Sequence, residues 1–200
     1  MLSLVWTRNK FNLGSLSSIG NTSFWCLRQS ESSLLPAKAG PNEAGTAMRI
    51  DYRNVFPAAL TAMAGLEQAV HSSSLEPELL ELIKLRASQL NGCGYCVDMH
   101  TKDAKGIGID DQRLHLVVVW PEAPLYSLRE RAALAWCEAL TMLPSSGAPD
   151  DVYDQVASQF HPEEIVALTL AIVAINGWNR FAVGLRSPVG SYVRHDEGRS

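Results

Sequence analysis

From residue 48 onward, apolar residues recur along the chain at the spacing of amphipathic helices. The clearest example follows Pro77, where every third or fourth side chain is apolar. The apolar positions on this face are Leu79, Leu82, Ile83, Ala87 and Leu90. This spacing is typical of a helix with one buried face, whereas the alternation that would indicate strands has little support. The pattern therefore predicts an all-α fold.

Prolines, glycines and capping residues divide this region into about seven predicted helices, which we expect to form a single-domain helical bundle. Proline suits the first helical turn, and the capping box from Ser127 to Glu130 is typical of a helix start. Asn91-Gly92 tolerates the left-handed conformation that is common at helix ends. The predicted helices cover residues 57–72, 77–90, 93–106 or 108, 110–120, 127–143, 150 or 151 onward, and 162–184.

Residues 1–47 differ in composition from the rest of the chain. They are rich in Ser, Gly and Asn, lack acidic residues before Glu31, and show no sustained periodicity. A disordered arm, a targeting peptide or a mis-assigned start before Met48 would each explain this composition, and the scarcity of basic residues disfavours the targeting peptide. We predict an arm or mis-assigned start over 1–47, a helical domain over 48–186 and a flexible tail over 187–200.

Composition and charge limit the classes of partner. The chain is 46% hydrophobic and 19% charged, which is ordinary for a soluble globular protein, and its formal net charge is −4. Since there is no basic footprint, we expect no nucleic-acid partner. The longest apolar run, Ile165 to Ile175, is shorter than a membrane span and favours a buried core helix. We therefore expect no membrane association and a cytoplasmic location.

The candidate chemistry lies in a pair of cysteines. Of the four cysteines, Cys93 and Cys96 form a C-x-x-C motif, with His100 four residues further on. In a chain without a convincing export signal, such a pair indicates redox or metal chemistry rather than a structural disulfide. At about 100° per residue, the two sulfurs and the imidazole fall within roughly 60° of arc on one helical face.

The start of a helix favours the reactive form of these thiols. Free N–H groups and the positive end of the helix dipole stabilise an anion there, and a nearby protonated histidine adds to this effect. Lys84 and Lys102 are not expected on the sulfur-bearing face. A sulfenic acid formed on one sulfur could meet the other and close a disulfide. Glu81, on the preceding helix, could lie over the thiols and hold or relay a proton.

The full pattern resembles a known family. Glu81, Cys93, Cys96 and His100 spell E-x11-C-x-x-C-x3-H, which is similar to the alkylhydroperoxidase-D branch of the carboxymuconolactone decarboxylase-like superfamily. The stretch Ile175-Asn-Gly-Trp-Asn-Arg-Phe181 resembles the superfamily's late helix. The likeness covers roughly residues 48–186, and Tyr95 stands where some members carry a second histidine. It implies an alkylhydroperoxidase-like all-helical fold.

The resemblance also implies roles for the four motif residues. Cys96 would be the peroxidatic cysteine, and Cys93 would resolve its sulfenic acid to a disulfide. His100 and Glu81 would complete a proton relay. The substrate would be an alkyl or hydrogen peroxide, and a dithiol, possibly on a lipoyl-bearing protein, would reduce the disulfide. No bound cofactor or metal is expected, and the assembly would be a homotrimer or hexamer.

Four other interpretations stay open at this point. The C-x-x-C pair could serve a general thiol–disulfide oxidoreductase or a redox-sensing protein, because these functions use the same thiols. The lactone-decarboxylase reaction of the wider superfamily is disfavoured because that branch does not depend on a cysteine pair. Structural zinc is disfavoured because Cys137 and His161, the remaining candidate ligands, lie far away in sequence.

Overall fold

The computed structural model describes residues 47–194, and within this range the chain forms helices and no strands. The predicted arm lies outside the described residues except for its last residue, as do residues 195–200 of the tail. The helices are α1 Tyr52–Val55, α2 Pro57–His71, α3 Pro77–Leu90, α4 Gly94–Gly106, α5 Asp111–Leu116, α6 Leu128–Thr141, α7 Leu143–Ser146, α8 Asp150–Ala157 and α9 Pro162–Leu185, with a 3₁₀ turn over Val117–Val119. The all-α prediction is confirmed.

All seven predicted helices are present, and two of them end earlier than predicted. The fourth changes from α-helix to a 3₁₀ turn at Val117, where three successive β-branched valines precede Pro121. The fifth ends at Thr141 because Pro144 cannot donate the backbone hydrogen bond that a continuing helix would need. A new turn, α7, begins after this break, and α1 is a second single turn that the sequence analysis did not predict.

The helix α3 lies at the centre of the described fold and packs against α4, α6 and α9. Its side chains enter two separate apolar clusters. Ile83 belongs to the cluster between α3, α6 and α9, while Leu82 and Leu85 belong to the cluster that also holds Trp120. Because α3 is buried on several sides, the residues it carries, Glu81 among them, have fixed positions relative to α4.

The helix α9 is the longest in the described residues. By length and composition it is apolar enough to cross a membrane, with a mean hydropathy of 1.4 over its 18-residue window, a test that core helices of soluble proteins also pass. In this fold Leu168, Ile172 and Ile175 are buried and pack in the cluster with α3 and α6. The predicted core helix is therefore present.

A polar network fixes the turn between α3 and α4 against α9. Gly92 in this turn has a φ of +63°, a conformation that favours glycine. The Asn91 side-chain amide donates to Asn179 Oδ1 at 2.9 Å and to Asn176 Oδ1 at 3.0 Å. The buried Asn179 amide in turn donates to Ser88 Oγ at 3.1 Å. The turn that leads into Cys93 is thus tied to the long helix.

The part of the predicted tail that the structure describes lies along α4. The Tyr192 hydroxyl donates to Asp103 Oδ1 at 2.7 Å, and Lys102 Nζ donates to the Tyr192 carbonyl at 2.8 Å. The methyl groups of Val189 lie against Gly94, where an added Cβ would be 3.1 Å from Val189 Cγ2. Residues 188–194 contain no helix, so these contacts are what position them.

We expect Asn179→Ala to lower the free energy of unfolding by about 2 kcal/mol, since it removes two buried hydrogen bonds and leaves a small cavity. Chemical denaturation monitored by circular dichroism measures this. Gln155→Ala, at an exposed position of α8, is the matched control and should change stability by less than about 0.5 kcal/mol. Equal stability of the Asn179 variant and wild type would show that the network is not structural.

Candidate active site

The two motif cysteines lie at the start of α4, as the sequence analysis predicted. Cys93 is the N-cap residue of the helix, and its sulfur accepts a hydrogen bond from the Cys96 N–H at 3.2 Å. The two sulfurs are joined in a disulfide, with a Cα–Cα distance of 5.3 Å. Both residues are almost fully buried. The pair therefore has the placement at a helix N-terminus that stabilises a thiolate after reduction.

The other two motif residues meet across the α3–α4 contact. His100 Nδ1 lies 2.9 Å from Glu81 Oε2, and both side chains are largely buried. The second ring nitrogen of His100, Nε2, is buried and has no hydrogen-bond partner among the described residues. Since Glu81 fixes the ring through Nδ1, Nε2 is the nitrogen that remains for chemistry.

These side chains line a cavity of about 470 Å³. Cys96, His100 and Glu81 all contribute to its wall, whereas Cys93 does not. The remaining lining residues come from five helices and are Tyr52, Arg53, Leu60, Glu67, His71, Lys84, Tyr95, Met99, Asp103, Trp178 and Ala182. The structure thus brings Glu81, Cys96 and His100 together at one cavity, with Cys93 bonded behind Cys96.

Comparison with known proteins agrees with this architecture. The carboxymuconolactone decarboxylase family matches residues 56–139. The uncharacterized protein YdfG of Bacillus subtilis is 38% identical over 143 residues, which are 72% of this chain and 97% of YdfG. A crystal structure from Agrobacterium tumefaciens, of a protein of unknown function provisionally assigned as the antioxidant defence protein AhpD, is 46% identical. It superposes with a TM-score of 0.71 and covers 73% of this chain and all of that one.

The chain belongs to the carboxymuconolactone decarboxylase family. This confirms the resemblance on which the sequence analysis relied. The fold alone is shared with the debrominase Bmp8, which is 21% identical, with a TM-score of 0.62 over 68% of this chain and 73% of Bmp8. A shared fold does not determine the chemistry, so the function of this chain depends on the residues of its own cavity.

Burial and the imidazole act in opposite directions on the Glu81 carboxyl. Burial raises its pKa, but the hydrogen bond from His100 and the charges of His100 and Lys84 outweigh this, and the pKa lies below its ordinary value of 4.5. Asp103 shows the opposite balance. Burial raises its pKa above the ordinary value of 3.8, the hydrogen bond from Tyr192 opposes this, and the charge of Glu81 adds to it. One carboxylate of the site is thus held ionised while its neighbour is pushed toward protonation.

Two of the charged cavity residues, Glu67 and Lys84, were not predicted to belong to the site. Lys84 is buried, and its Nζ donates to Glu67 Oε2 at 2.8 Å. Trp178 Nε1 donates to the other oxygen of the same carboxylate at 3.1 Å. Lys84 lies on α3 rather than on the sulfur-bearing face of α4, and it lines the same cavity as Cys96. No short motif joins these residues; only the packing of α2 and α9 around α3 brings them together.

The residues of the motif on α9 have different positions: one lines the cavity, and others make packing and hydrogen-bond contacts elsewhere. Trp178 lines the cavity, whereas Asn179 is buried in the network described above. Arg180 is exposed, and its Nη1 donates to Asn176 Oδ1 at 2.7 Å. The motif on α9 therefore contributes one wall residue and the contacts that hold the α3–α4 turn.

Cys137 is separate from the site. It is fully buried on α6, its thiol donates to the Ile83 carbonyl at 3.4 Å, and burial raises its pKa to about 12. This agrees with its interpretation as a small core residue and does not favour a zinc site shared with Cys93 and Cys96. Among the described residues, the one group that could hold a metal ion is Glu81, His100 and Asp103, whose ligand atoms lie within 4.8 Å of one another.

We expect Glu81→Gln to weaken the pH dependence of stability in acid. A carboxyl whose pKa is lowered on folding contributes stability that is present above its unfolded value, near 4.5, and is lost as pH falls through the folded value. Denaturation curves between about pH 3 and pH 6 should therefore be flatter in the variant than in wild type. This measurement tests whether the Glu81–His100 pair is ionic in solution.

Asp103→Asn is the matched comparison because the pKa of Asp103 is shifted in the opposite direction from that of Glu81. A carboxyl whose pKa is raised contributes stability that is present below its unfolded value, near 3.8, and is lost as pH rises through the folded value. Its removal should therefore steepen the loss of stability on acidification, whereas removal of Glu81 reduces it. The same direction of change in both variants would contradict this assignment of charges.

Proposed function

We propose that the protein is a thiol peroxidase that reduces alkyl or hydrogen peroxides through Cys93 and Cys96. The single observation that supports this best is that Cys96 opens onto a cavity shared with the Glu81–His100 pair, while Cys93 is bonded to Cys96. A nucleophilic sulfur, a resolving sulfur and an oriented imidazole are the groups that this chemistry needs. The provisional antioxidant assignment of the Agrobacterium relative is consistent with this proposal.

In the reduced protein, the Cys96 thiol gives its proton to His100 Nε2 and becomes the nucleophile. The thiolate attacks the terminal oxygen of the hydroperoxide, the O–O bond breaks, and two electrons pass from sulfur to the peroxide. The protonated His100 then donates its proton to the departing alkoxide, which leaves as the alcohol. Cys96 is left as the sulfenic acid, and Glu81 holds the imidazole ring in place throughout.

The second half of the reaction closes the disulfide seen in the structure. The Cys93 sulfur attacks the Cys96 sulfenic sulfur, and the hydroxyl leaves as water with the proton of the Cys93 thiol. An external dithiol then reduces the disulfide by exchange and returns two electrons and two protons. We propose a lipoyl-bearing protein as one such donor. The roles of the two cysteines follow from their surroundings, because only Cys96 faces the cavity.

Cys96→Ser should abolish peroxide turnover, because it removes the nucleophile. Cys93→Ser should instead allow one oxidation and then stop, with the sulfenic acid retained on Cys96. Mass spectrometry of each variant after one equivalent of peroxide, with dimedone to trap sulfenic acid, measures both outcomes. Retained turnover in Cys96→Ser, with the trapped adduct on Cys93, would reverse the two roles.

A peroxide-consumption assay separates the peroxidase from its alternatives. A general thiol–disulfide oxidoreductase or a redox sensor would form the Cys93–Cys96 disulfide without sustained peroxide consumption. Wild-type protein with excess dithiothreitol should therefore consume many equivalents of peroxide. Formation of a single disulfide without turnover would contradict the proposed function.

We also propose that the protein assembles into a homotrimer or a hexamer. Val166 and Val173 lie seven residues apart on one face of α9 and are 69% and 53% exposed in the single chain, and apolar side chains exposed on one face favour an interface. Light scattering at micromolar concentration should give a mass of three or six chains of 21.9 kDa. A mass close to that of one chain would contradict this assembly.

A further inference from the structure

Some of the charged side chains that line the cavity have an oppositely charged partner in the part of the chain that the structure describes, whereas Arg53 does not. Glu81 and Asp103 lie beside His100, with ligand atoms of the three residues within 4.8 Å of one another. Lys84 is paired with Glu67 at 2.8 Å. Arg53 is the remaining cation on the lining, and among the described residues no carboxylate lies within ion-pair distance of it.

Aromatic side chains set the position of Arg53. Its guanidinium carbon lies 5.4 Å from the centre of the Tyr52 ring, and its Nη2 lies 3.4 Å from the Tyr95 hydroxyl. Stacking on an aromatic ring leaves the edge of a guanidinium available for a bidentate contact with a planar anion. Arg53 is exposed, so a solute entering the cavity can reach it.

Arg53 lines the same cavity as the candidate nucleophile. Tyr95, whose hydroxyl contacts Arg53, directly precedes Cys96 in α4, and all three residues contribute to the cavity wall. Leu60, Met99 and Trp178 supply apolar wall to the same cavity. A volume of about 470 Å³ is far larger than hydrogen peroxide requires and is within the range of cavities that hold small organic ligands.

We propose that Arg53 is an anion-binding residue of this cavity and that the preferred substrates are organic hydroperoxides that carry a carboxylate. The hydroperoxide group lies at Cys96 and His100, the carbon skeleton contacts the apolar wall, and the carboxylate binds Arg53. The reverse orientation would place the carboxylate beside the ionised Glu81, which repels it. This inference rests on the proposed peroxidase function and specifies its substrate class.

The test compares two substrates with the same carbon skeleton, one with a carboxylate and one with a neutral methyl ester: the hydroperoxide of 4-isopropylbenzoic acid and that of its methyl ester. Dithiothreitol, which is uncharged, is the reductant in every assay. In wild type we expect kcat/KM to be about tenfold higher for the acid than for the ester, with most of the difference in KM. In Arg53→Gln the ratio of kcat/KM for the acid to kcat/KM for the ester should fall to about one. Arg53→Lys should retain part of the preference because the positive charge remains.

Arg186→Gln is the control, since it removes an exposed arginine that does not line the cavity. Its acid-to-ester ratio of kcat/KM should match that of wild type. An equal rate for acid and ester in wild type, or a ratio unchanged in Arg53→Gln, would overturn the inference and leave the peroxidase function standing. Absence of turnover with acid, ester and hydrogen peroxide alike would instead overturn the proposed function.

A second arm tests whether Arg53 serves the reductant rather than the peroxide. Dihydrolipoate and its uncharged amide are compared as reductants with the methyl ester hydroperoxide held constant. We expect the ratio of the kcat/KM values for these two reductants to be the same in wild type and in Arg53→Gln. A loss of preference for dihydrolipoate in the variant, with no change in the ratio of the peroxides, would contradict a carboxylate-bearing peroxide as the ligand.

Discussion

The hydrogen bond between Glu81 and His100 is the contact on which the candidate site depends. It joins α3, the central helix of the described fold, to α4, which carries both motif cysteines. Each of these groups is too buried to rely on water, so each needs the other to satisfy its polar atom. The contact therefore fixes the rotation of α4 relative to α3 and with it the direction in which Cys96 opens.

This contact needs a precise turn, which explains the polar network at the end of α3. Gly92 supplies a backbone conformation that other residues rarely adopt, and Asn91 ties the turn to α9 through Asn179. A displaced turn would move Cys93 away from the N-cap position, where its sulfur accepts the Cys96 N–H. The network thus fixes the position of the two sulfurs relative to the long apolar helix.

The part of the site that could be predicted from sequence is the part that lies within one helix or one hairpin. Cys93, Cys96 and His100 share a face because helical geometry is local, and Glu81 reaches them because the turn between its helix and theirs is short. The pairing of Glu67 with Lys84, and the position of Arg53, depend on how α1 and α2 pack against α3. Sequence periodicity identifies a buried face but does not say which side chain of another helix it meets.

The early end of α6 shows the same limit in a different way. The apolar pattern continues past Thr141, so periodicity alone extends the helix to Leu143. The break depends on Pro144, which has no N–H for the helical hydrogen bond and restricts the backbone of the residue before it. Neither effect changes the spacing of the apolar residues. Where local backbone chemistry and hydrophobic spacing disagree, the backbone determines the boundary.

The charges around the cavity also limit how the thiol can be activated. The lowered pKa keeps Glu81 ionised, and a second negative charge on Cys96 beside it is unfavourable unless positive charge compensates for it. Lys84 contributes little to this, because Glu67 already neutralises it at 2.8 Å. In the proposed reaction the N-terminus of α4 and the proton that Cys96 gives to His100 supply compensating positive charge. That proton then passes to the departing alkoxide, so the imidazole loses its charge in the same step in which the Cys96 sulfur is oxidised.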